Sequence, residues 1–204
     1  MPEQDHSGSE KQKPMVVFAG RSNVGKSSVM RALTGRRLKV GKRPGTTRWE
    51  KSIDLGAVLF VDTPGFGHMA GQGKKAIERA KTALVQKLES WSSRLVLTVL
   101  IIDLSLFREL VERWENKGEI PIDVEFYTFL SEISKHVIVV ANKIDKLPSG
   151  NRATEIEYLH DKLPQKGSAP VIVPISAKQG TNIVELRREI ERVLQAESLQ
   201  MPTW

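Results

Sequence analysis

The sequence predicts an α/β domain: a six-stranded, mostly parallel β-sheet with one antiparallel strand and helices on both faces. Five almost wholly apolar runs recur along the 204 residues: MVVFA (15–19), AVLFVD (57–62), LVLTVLIID (95–103), HVIVVAN (136–142) and PVIVPIS (170–176). Runs this uniformly apolar suit strands covered on both faces, as in a parallel sheet between helical layers. A weaker run, WEKSID (49–54), is joined to AVLFVD by Leu55-Gly56, a link short enough to allow only an antiparallel hairpin.

Helix patterns separate the strands. Over 74–93, Ile77, Ala80, Leu84, Leu88 and Trp91 recur at helical spacing. In 104–121, Leu106, Phe107, Leu110, Val111 and Trp114 predict a small satellite helix on the sheet edge. A final helix is expected to start at Asn182, capped by that side chain with Glu185 three residues on, and to bury Ile183, Leu186, Ile190, Val193 and Leu194. Residues 1–13 read as a disordered tail without the apolar core of a signal peptide, 14–196 as one domain and 197–204 as a C-terminal tail.

Composition narrows the chemistry. The chain has no cysteine, which excludes disulfides and thiolate zinc sites, and its four histidines show no metal-ligand spacing. The longest apolar run, Leu95 to Ile102, is far too short to cross a bilayer, so a soluble, cytoplasmic protein is expected. Lys and Arg outnumber Asp and Glu by 31 to 24, a formal charge of +7 that favours polyanionic partners.

The chemistry-bearing motifs all fall at carboxyl ends of predicted strands, where ligands of such sheets bind. MVVFA runs into Gly20-Arg21-Ser22-Asn23-Val24-Gly25-Lys26-Ser27-Ser28, which fits GxxxxGK[ST] between a strand and a helix. The glycines let backbone N–H groups curl around phosphates, Lys26 suits the β and γ phosphates, and Ser27 offers a hydroxyl to magnesium. AVLFVD ends in Asp62-Thr63-Pro64-Gly65. Asp62 there suits a magnesium-bound water, and Gly65 offers an N–H to the γ-phosphate. HVIVVA ends in Asn142-Lys143-Ile144-Asp145. One carboxylate at Asp145 accepts both guanine N1–H and N2–H, a pair that adenine lacks; Lys143 lies along the base, and Asn142 ties the loop to the phosphate loop. PVIVPI ends in Ser176-Ala177-Lys178, with the Ala177 N–H aimed at guanine O6. Between the first helix and the hairpin, Pro44-Gly45-Thr46-Thr47 supplies a mobile threonine, Thr47 in first place and Thr46 in second, that completes a magnesium shell only with the γ-phosphate present. Taken in order, these motifs predict the P-loop GTPase (Ras-like) fold, with GTP and GDP as ligands, Mg2+ as cofactor and Ser27, Thr47 and Asp62 at the metal.

With GRSNVGKSS, PGTTR and DTPGFG in place, residues 15–195 resemble the EngB GTPases, of the same translation-factor-like class as Era and Der. The resemblance implies a conformational switch in assembly of the large ribosomal subunit, linked to normal cell division and septation. Bacterial members usually carry TKxD and a serine-rich final motif. NKID, SAK and the longer 104–121 segment point instead to an archaeal or divergent member.

Many GTPases orient the attacking water with a glutamine after the Asp-x-x-Gly motif. Phe66 stands there, without a polar group. In related GTPases an asparagine at the position of Asn23 helps hold potassium against the phosphates, so the catalytic set expected is Lys26, Asn23 and Gly65, with K+ as a second cation. Asn23 also suits a loop residue with an unusual backbone angle, and His68, a second candidate, suits a solvated loop histidine. The basic excess concentrates in 36–51, with Arg36, Arg37, Lys39, Lys42, Arg43, Arg48 and Lys51 against Glu50 alone, and continues in Lys74, Lys75, Arg79 and Lys81. That placement predicts an rRNA partner, not DNA and not a membrane, gripped in the GTP form. The competing expectation is a nucleotide-gated binding module, on a protein or membrane surface, with incidental hydrolysis.

Overall fold

The structure, a computed structural model, describes residues 13–36, 39–40, 51–66, 74–165 and 169–204. The strands are β1 (Met15–Ala19), β2 (Lys39–Val40), β3 (Lys51–Asp54), β4 (Leu59–Asp62), β5 (Leu95–Asp103), β6 (His136–Asn142) and β7 (Val171–Pro174). The helices are α1 (Lys26–Thr34), α2 (Lys74–Ser90), α3 (Leu104–Glu115), α4 (Ile122–Ile133), α5 (Arg152–Lys162) and α6 (Ile183–Ala196). All six expected strands pair in one sheet, and the two-residue β2 extends its edge, giving the order β2-β3-β4-β1-β5-β6-β7. Strands β4, β1, β5, β6 and β7 run parallel, while β3 is antiparallel to β4.

The chain leaves β1 toward β3 and β4 on one side and returns to β5 on the other. The carboxyl end of β1 is therefore where the strand order reverses, the place at which open sheets form a ligand crevice.

Each face carries its own core. On one, Val16, Phe18, Phe60, Val99, Ile101 and Val140 pack with Val29, Met30 and Leu33 of α1 and Ile183, Leu186, Ile190 and Leu194 of α6. On the other, Val17, Val61, Leu100, Ile102 and Val139 meet α2 through Leu84 and Leu88, α3 through Phe107 and Val111, α4 through Phe126 and Leu130, and α5 through Leu159. All nine residues of β5 are buried for this reason, which explains why its sequence shows no alternation. Among the described residues, no helix is long and apolar enough to cross a membrane.

Three local expectations change. The helix over 104–115 is not a satellite on the edge: it starts directly at Asp103, whose carboxylate accepts from the Ser105 N–H at 3.2 Å, and it buries Leu104, Phe107 and Val111 over the interior of the sheet. The capping box at α6 does not form. Asn182 has φ 57°, and its carboxamide donates instead to the Pro174 carbonyl at 2.9 Å, tying α6 to β7. Residues 197–204 return to the domain. The Thr203 N–H donates to the Leu55 carbonyl at 3.2 Å, and the Trp204 ring stands edge-on to Phe60 at 5.6 Å beneath the Arg187 guanidinium, extending the cover on that face of the sheet.

Thr98, fully buried on β5, has a hydroxyl with no hydrogen-bond partner among the described residues. A buried hydroxyl without a partner destabilises, and a methyl in its place does not. Thr98→Val is expected to raise stability by about 1 kcal/mol, read as a higher urea midpoint with an unchanged slope. A lower midpoint would mean the hydroxyl is satisfied in solution.

Candidate nucleotide site

The loop after β1 takes its shape from buried anchors. Val24 is 4% exposed and packs into the core, and its carbonyl accepts from Asn142 Nδ2 at 2.8 Å. Gly25 has φ 103°, and a Cβ there would come within 2.5 Å of that same amide nitrogen, so no other residue fits. Lys26 opens α1 with its ammonium nearly buried, donating to the carbonyls of Arg21 at 2.9 Å and Gly20 at 3.1 Å. Burial lowers its pKa to about 8, an effect opposed by the nearby Asp62 carboxylate.

Asp62, at the end of β4, accepts from the Ser27 hydroxyl at 2.5 Å through Oδ2. Its Oδ1 is buried with no partner among the described residues. Burial pushes the carboxyl up, while Ser27, Lys26 and Lys51 hold it down. A hydroxyl and an unshared carboxylate oxygen beside a phosphate loop are hard oxygen donors that fit Mg2+. Thr63 is fixed by its hydroxyl and its N–H, both donating to the Phe18 carbonyl.

These groups open on a cavity of about 680 Å³ lined by Ser22, Asn23, Gly25, Lys26, Ser27, Ser28, Lys51, Asp62, Thr63, Pro64, Gly65 and Lys143. Gly65 lies against the phosphate loop: an added Cβ would meet the Ser22 backbone at 2.6 Å. The Ser22 N–H donates to the Phe66 carbonyl at 3.0 Å, and the Phe66 ring is buried against Phe126 of α4, 4.1 Å between centroids. Asn23 has φ 66°, the left-handed conformation in which asparagine is several-fold enriched.

The loops after β6 and β7 form the other end. Lys143, at φ 69°, donates to the Asn23 carbonyl and to Asp103 Oδ2, both at 2.6 Å. The Ile144 N–H donates to the Ile175 carbonyl at 3.2 Å. The Ser176 hydroxyl donates to Asp145 Oδ1 at 2.6 Å and holds that carboxyl below the usual range, leaving an ionised acceptor at neutral pH. The Ala177 N–H, expected at guanine O6, here donates to Asn142 Oδ1 at 3.1 Å, so in this structure it belongs to the frame. Lys178 is exposed beside Asp145.

Other expected residues fall elsewhere. Gly45, Thr46, Thr47, Arg37, Lys42, Arg43, Arg48 and His68 lie outside the described residues, as do the side chains of Lys39, Lys74 and Lys75. Arg36, expected on the basic surface, bonds instead to the Asp54 and Thr203 carbonyls at 3.1 and 2.8 Å. Lys81 is paired with Glu125 of α4 at 2.9 Å.

Three residues are added. Asp103 anchors Lys143, and its one sequence signal is an acid ending a long apolar run. Asp123 of α4 is 4% exposed and faces Arg21 at 3.7 Å; burial pushes its carboxyl up to about 6 against the pull of that guanidinium. Nothing in its local pattern marks it. Lys51, read only as part of a basic run, lines the cavity.

Known proteins agree with this geometry. A family model described as 50S ribosome-binding GTPase matches residues 15–143. A probable GTP-binding protein EngB of Pyrococcus abyssi is 42% identical over 181 residues, 88% of this chain and 85% of its own. That of Archaeoglobus fulgidus is 39% identical over 180 residues, 88% and 91%. A crystal structure of a probable GTP-binding protein engB matches with TM-score 0.77 at 41% identity over 89% of this chain and 99% of that one. Era in complex with MgGDPNP and nucleotides 1506–1542 of 16S ribosomal RNA matches with TM-score 0.62 at 29% identity, over 89% of this chain and 57% of Era. A phosphate-type loop, an Asp-Thr-Pro-Gly strand end and an Asn-Lys-Ile-Asp loop meet at one sheet edge, and archaeal relatives match over most of the length: the chain belongs to the EngB family of GTP-binding P-loop GTPases.

Proposed function

We propose that this GTPase is a magnesium-dependent switch in assembly of the large ribosomal subunit, with a consequent link to cell division and septation. The observation that carries the nucleotide chemistry is the buried Lys26 ammonium beside the Ser27–Asp62 pair on the floor of one cavity. In this reading Lys26 binds the β and γ phosphates, and the loop N–H groups from Gly20 to Ser28 cradle them. The Gly65 N–H meets the γ-phosphate once the turn that carries it moves off the Ser22 backbone. Ser27, Thr47 and, through a water, Asp62 would hold magnesium, which would supply charge neutralisation at those phosphates. Asp145 reads guanine, with Lys143 along the base and Ala177 at its O6 edge.

Hydrolysis lacks a side-chain water orienter at Phe66, whose ring is packed on Phe126. Potassium held by Asn23 is the cation proposed to offset the charge developing between β and γ phosphates. The ribosomal part rests on the matching family's description, on the rRNA carried by Era and on the basic 36–51 segment. The reading as a protein- or membrane-surface module with incidental hydrolysis is separated by experiment below. The cytoplasm is the compartment proposed.

Asp145→Asn exchanges an acceptor pair for one acceptor and one donor, which suits xanthine. GTP affinity is expected to fall and xanthosine triphosphate affinity to rise; unchanged GTP binding would remove Asp145 as selector.

Cosedimentation with large-subunit particles should be strong with a non-hydrolysable GTP analogue, weak with GDP, and should fall steeply with salt as phosphate contacts release counterions. Reversal of Arg37, Lys39 and Arg43 to Glu should weaken it without changing GTP affinity. Preferential sedimentation with anionic liposomes would instead favour the surface module.

Hydrolysis should be faster in potassium than in sodium at equal ionic strength. Asn23→Gly keeps the left-handed backbone while removing the carboxamide, and should erase the difference. A parent indifferent to the cation would leave Asn23 a loop residue and assign the activating group to the partner.

A further inference from the structure

Lys51 opens β3 directly opposite Asp62 in the antiparallel register with β4. Directly opposed residues of an antiparallel pair project from the same face with their Cβ atoms about 5 Å apart. The Lys51 side chain therefore leaves the sheet on the face where Asp62 meets Ser27, and it lines the same cavity.

Among the described residues, three lysines line that cavity. Lys26 is held by two loop carbonyls, and Lys143 by Asp103 and the Asn23 carbonyl. Lys51 is exposed, and among the described residues its ammonium has no ion pair or hydrogen bond. Its influence reaches the Asp62 carboxyl, which it helps to hold down.

The row of strands assigns the direction of the site. The base-reading residues stand at the ends of β6 and β7, the phosphate loop follows β1, the Ser27–Asp62 pair sits at β4, and Lys51 stands one strand further out on β3. A nucleotide laid with its base at Asp145 and its phosphates at Lys26 directs its terminal phosphate toward β4 and β3. A compact ammonium on a flexible stem suits a phosphate there as a point charge.

We propose that Lys51 binds the terminal phosphate of the nucleoside triphosphate, a contact that the diphosphate lacks. The proposal rests on the nucleotide-site reading above. It makes Lys51 a residue that discriminates triphosphate from diphosphate, in cis, on the strand that follows the 41–50 segment. On loss of the terminal phosphate its charge faces solvent and Asp62 alone.

The test is equilibrium binding of fluorescent GDP and of a non-hydrolysable GTP analogue, with magnesium, to the full chain and to Lys51→Ala and Lys51→Arg. A charge-assisted contact is expected to make the analogue bind about tenfold more weakly to Lys51→Ala, with GDP affinity changed by less than about twofold, and Lys51→Arg should restore most of the loss. A purely structural role would move both nucleotides together. Equal weakening of both, or no weakening of the analogue, would overturn the proposal. A rise in magnesium affinity with unchanged analogue binding would also overturn it, showing that the lysine competes with the metal for Asp62. Failure of the nucleotide-site reading would appear separately, as a parent that does not bind GDP or does not distinguish guanine.

Discussion

One buried carboxamide holds the ligand end of the sheet together. Asn142 is 3% exposed and donates to the Val24 carbonyl at 2.8 Å while accepting from the Ala177 N–H at 3.1 Å. Loops after three strands, β1, β6 and β7, are thereby fixed relative to one another by a single side chain. A buried amide with both ends satisfied specifies geometry more sharply than apolar packing, because either loop moving away leaves a polar group unpaired. The absence of a side chain at Gly25 follows from the same contact, since the amide nitrogen occupies the space a Cβ would need. Lys143 adds a second tie between the β6 loop and Asn23, anchored on the β5 end through Asp103. The loops proposed to read the base and to hold the phosphates thus form one frame before any ligand is considered.

The other side of the site is coupled to α4. Arg21 pairs with Asp123 on its first turn, and one turn later Phe126 carries the Phe66 ring. Phe66 in turn accepts from the Ser22 N–H. The phosphate loop, the Asp-Thr-Pro-Gly turn and α4 are linked in a closed circuit of an ion pair, an aromatic contact and a backbone hydrogen bond. Moving Gly65 from Ser22 toward a phosphate has to break the backbone bond, and the Phe66 ring stands where that motion reaches α4. Loss of the glutamine found in many GTPases is then not simply a missing catalytic group. The position has been given an apolar anchor.

The strands were legible in the sequence because their burial is two-sided: MVVFA, LVLTVLIID and HVIVVAN match β1, β5 and β6 residue for residue. Two shorter runs overreached: AVLFVD began two residues before β4, and PVIVPIS began one residue before β7 and ended two after it. The motif residues were legible because their chemistry depends on local spacing, which a sequence displays. Asp123, Lys51 and Asp103 depend on partners 102, 11 and 40 positions away, Arg21, Asp62 and Lys143 respectively, and no local pattern records such a meeting. The α6 cap failed for a related reason: the Asn182 amide donates to the Pro174 carbonyl on β7, and its oxygen does not accept from the first N–H groups of the helix. The 104–115 helix was misplaced because its apolar residues show that it has an inner face but not which strands lie beneath it.

The electrostatics of the floor carry a further consequence. Burial lowers the Lys26 pKa and raises that of Asp62, so each is driven toward its neutral form and each is partly restored by the other. For Lys26 the sign is that of a depressed base: burial penalises the charged form, so its opposition to folding is complete below the folded value of about 8, where both states hold the proton. It is relieved as pH rises above that value and is gone above the unfolded pKa, where both states are neutral. An anionic phosphate at Lys26 and a divalent cation at Asp62 act in the opposite sense on each group. Ligand binding and folding are therefore linked at this floor, and nucleotide with its metal should stabilise the fold. The two buried charges that make the site receptive to a metal-phosphate pair are the same two that make it a weak point of the unliganded fold.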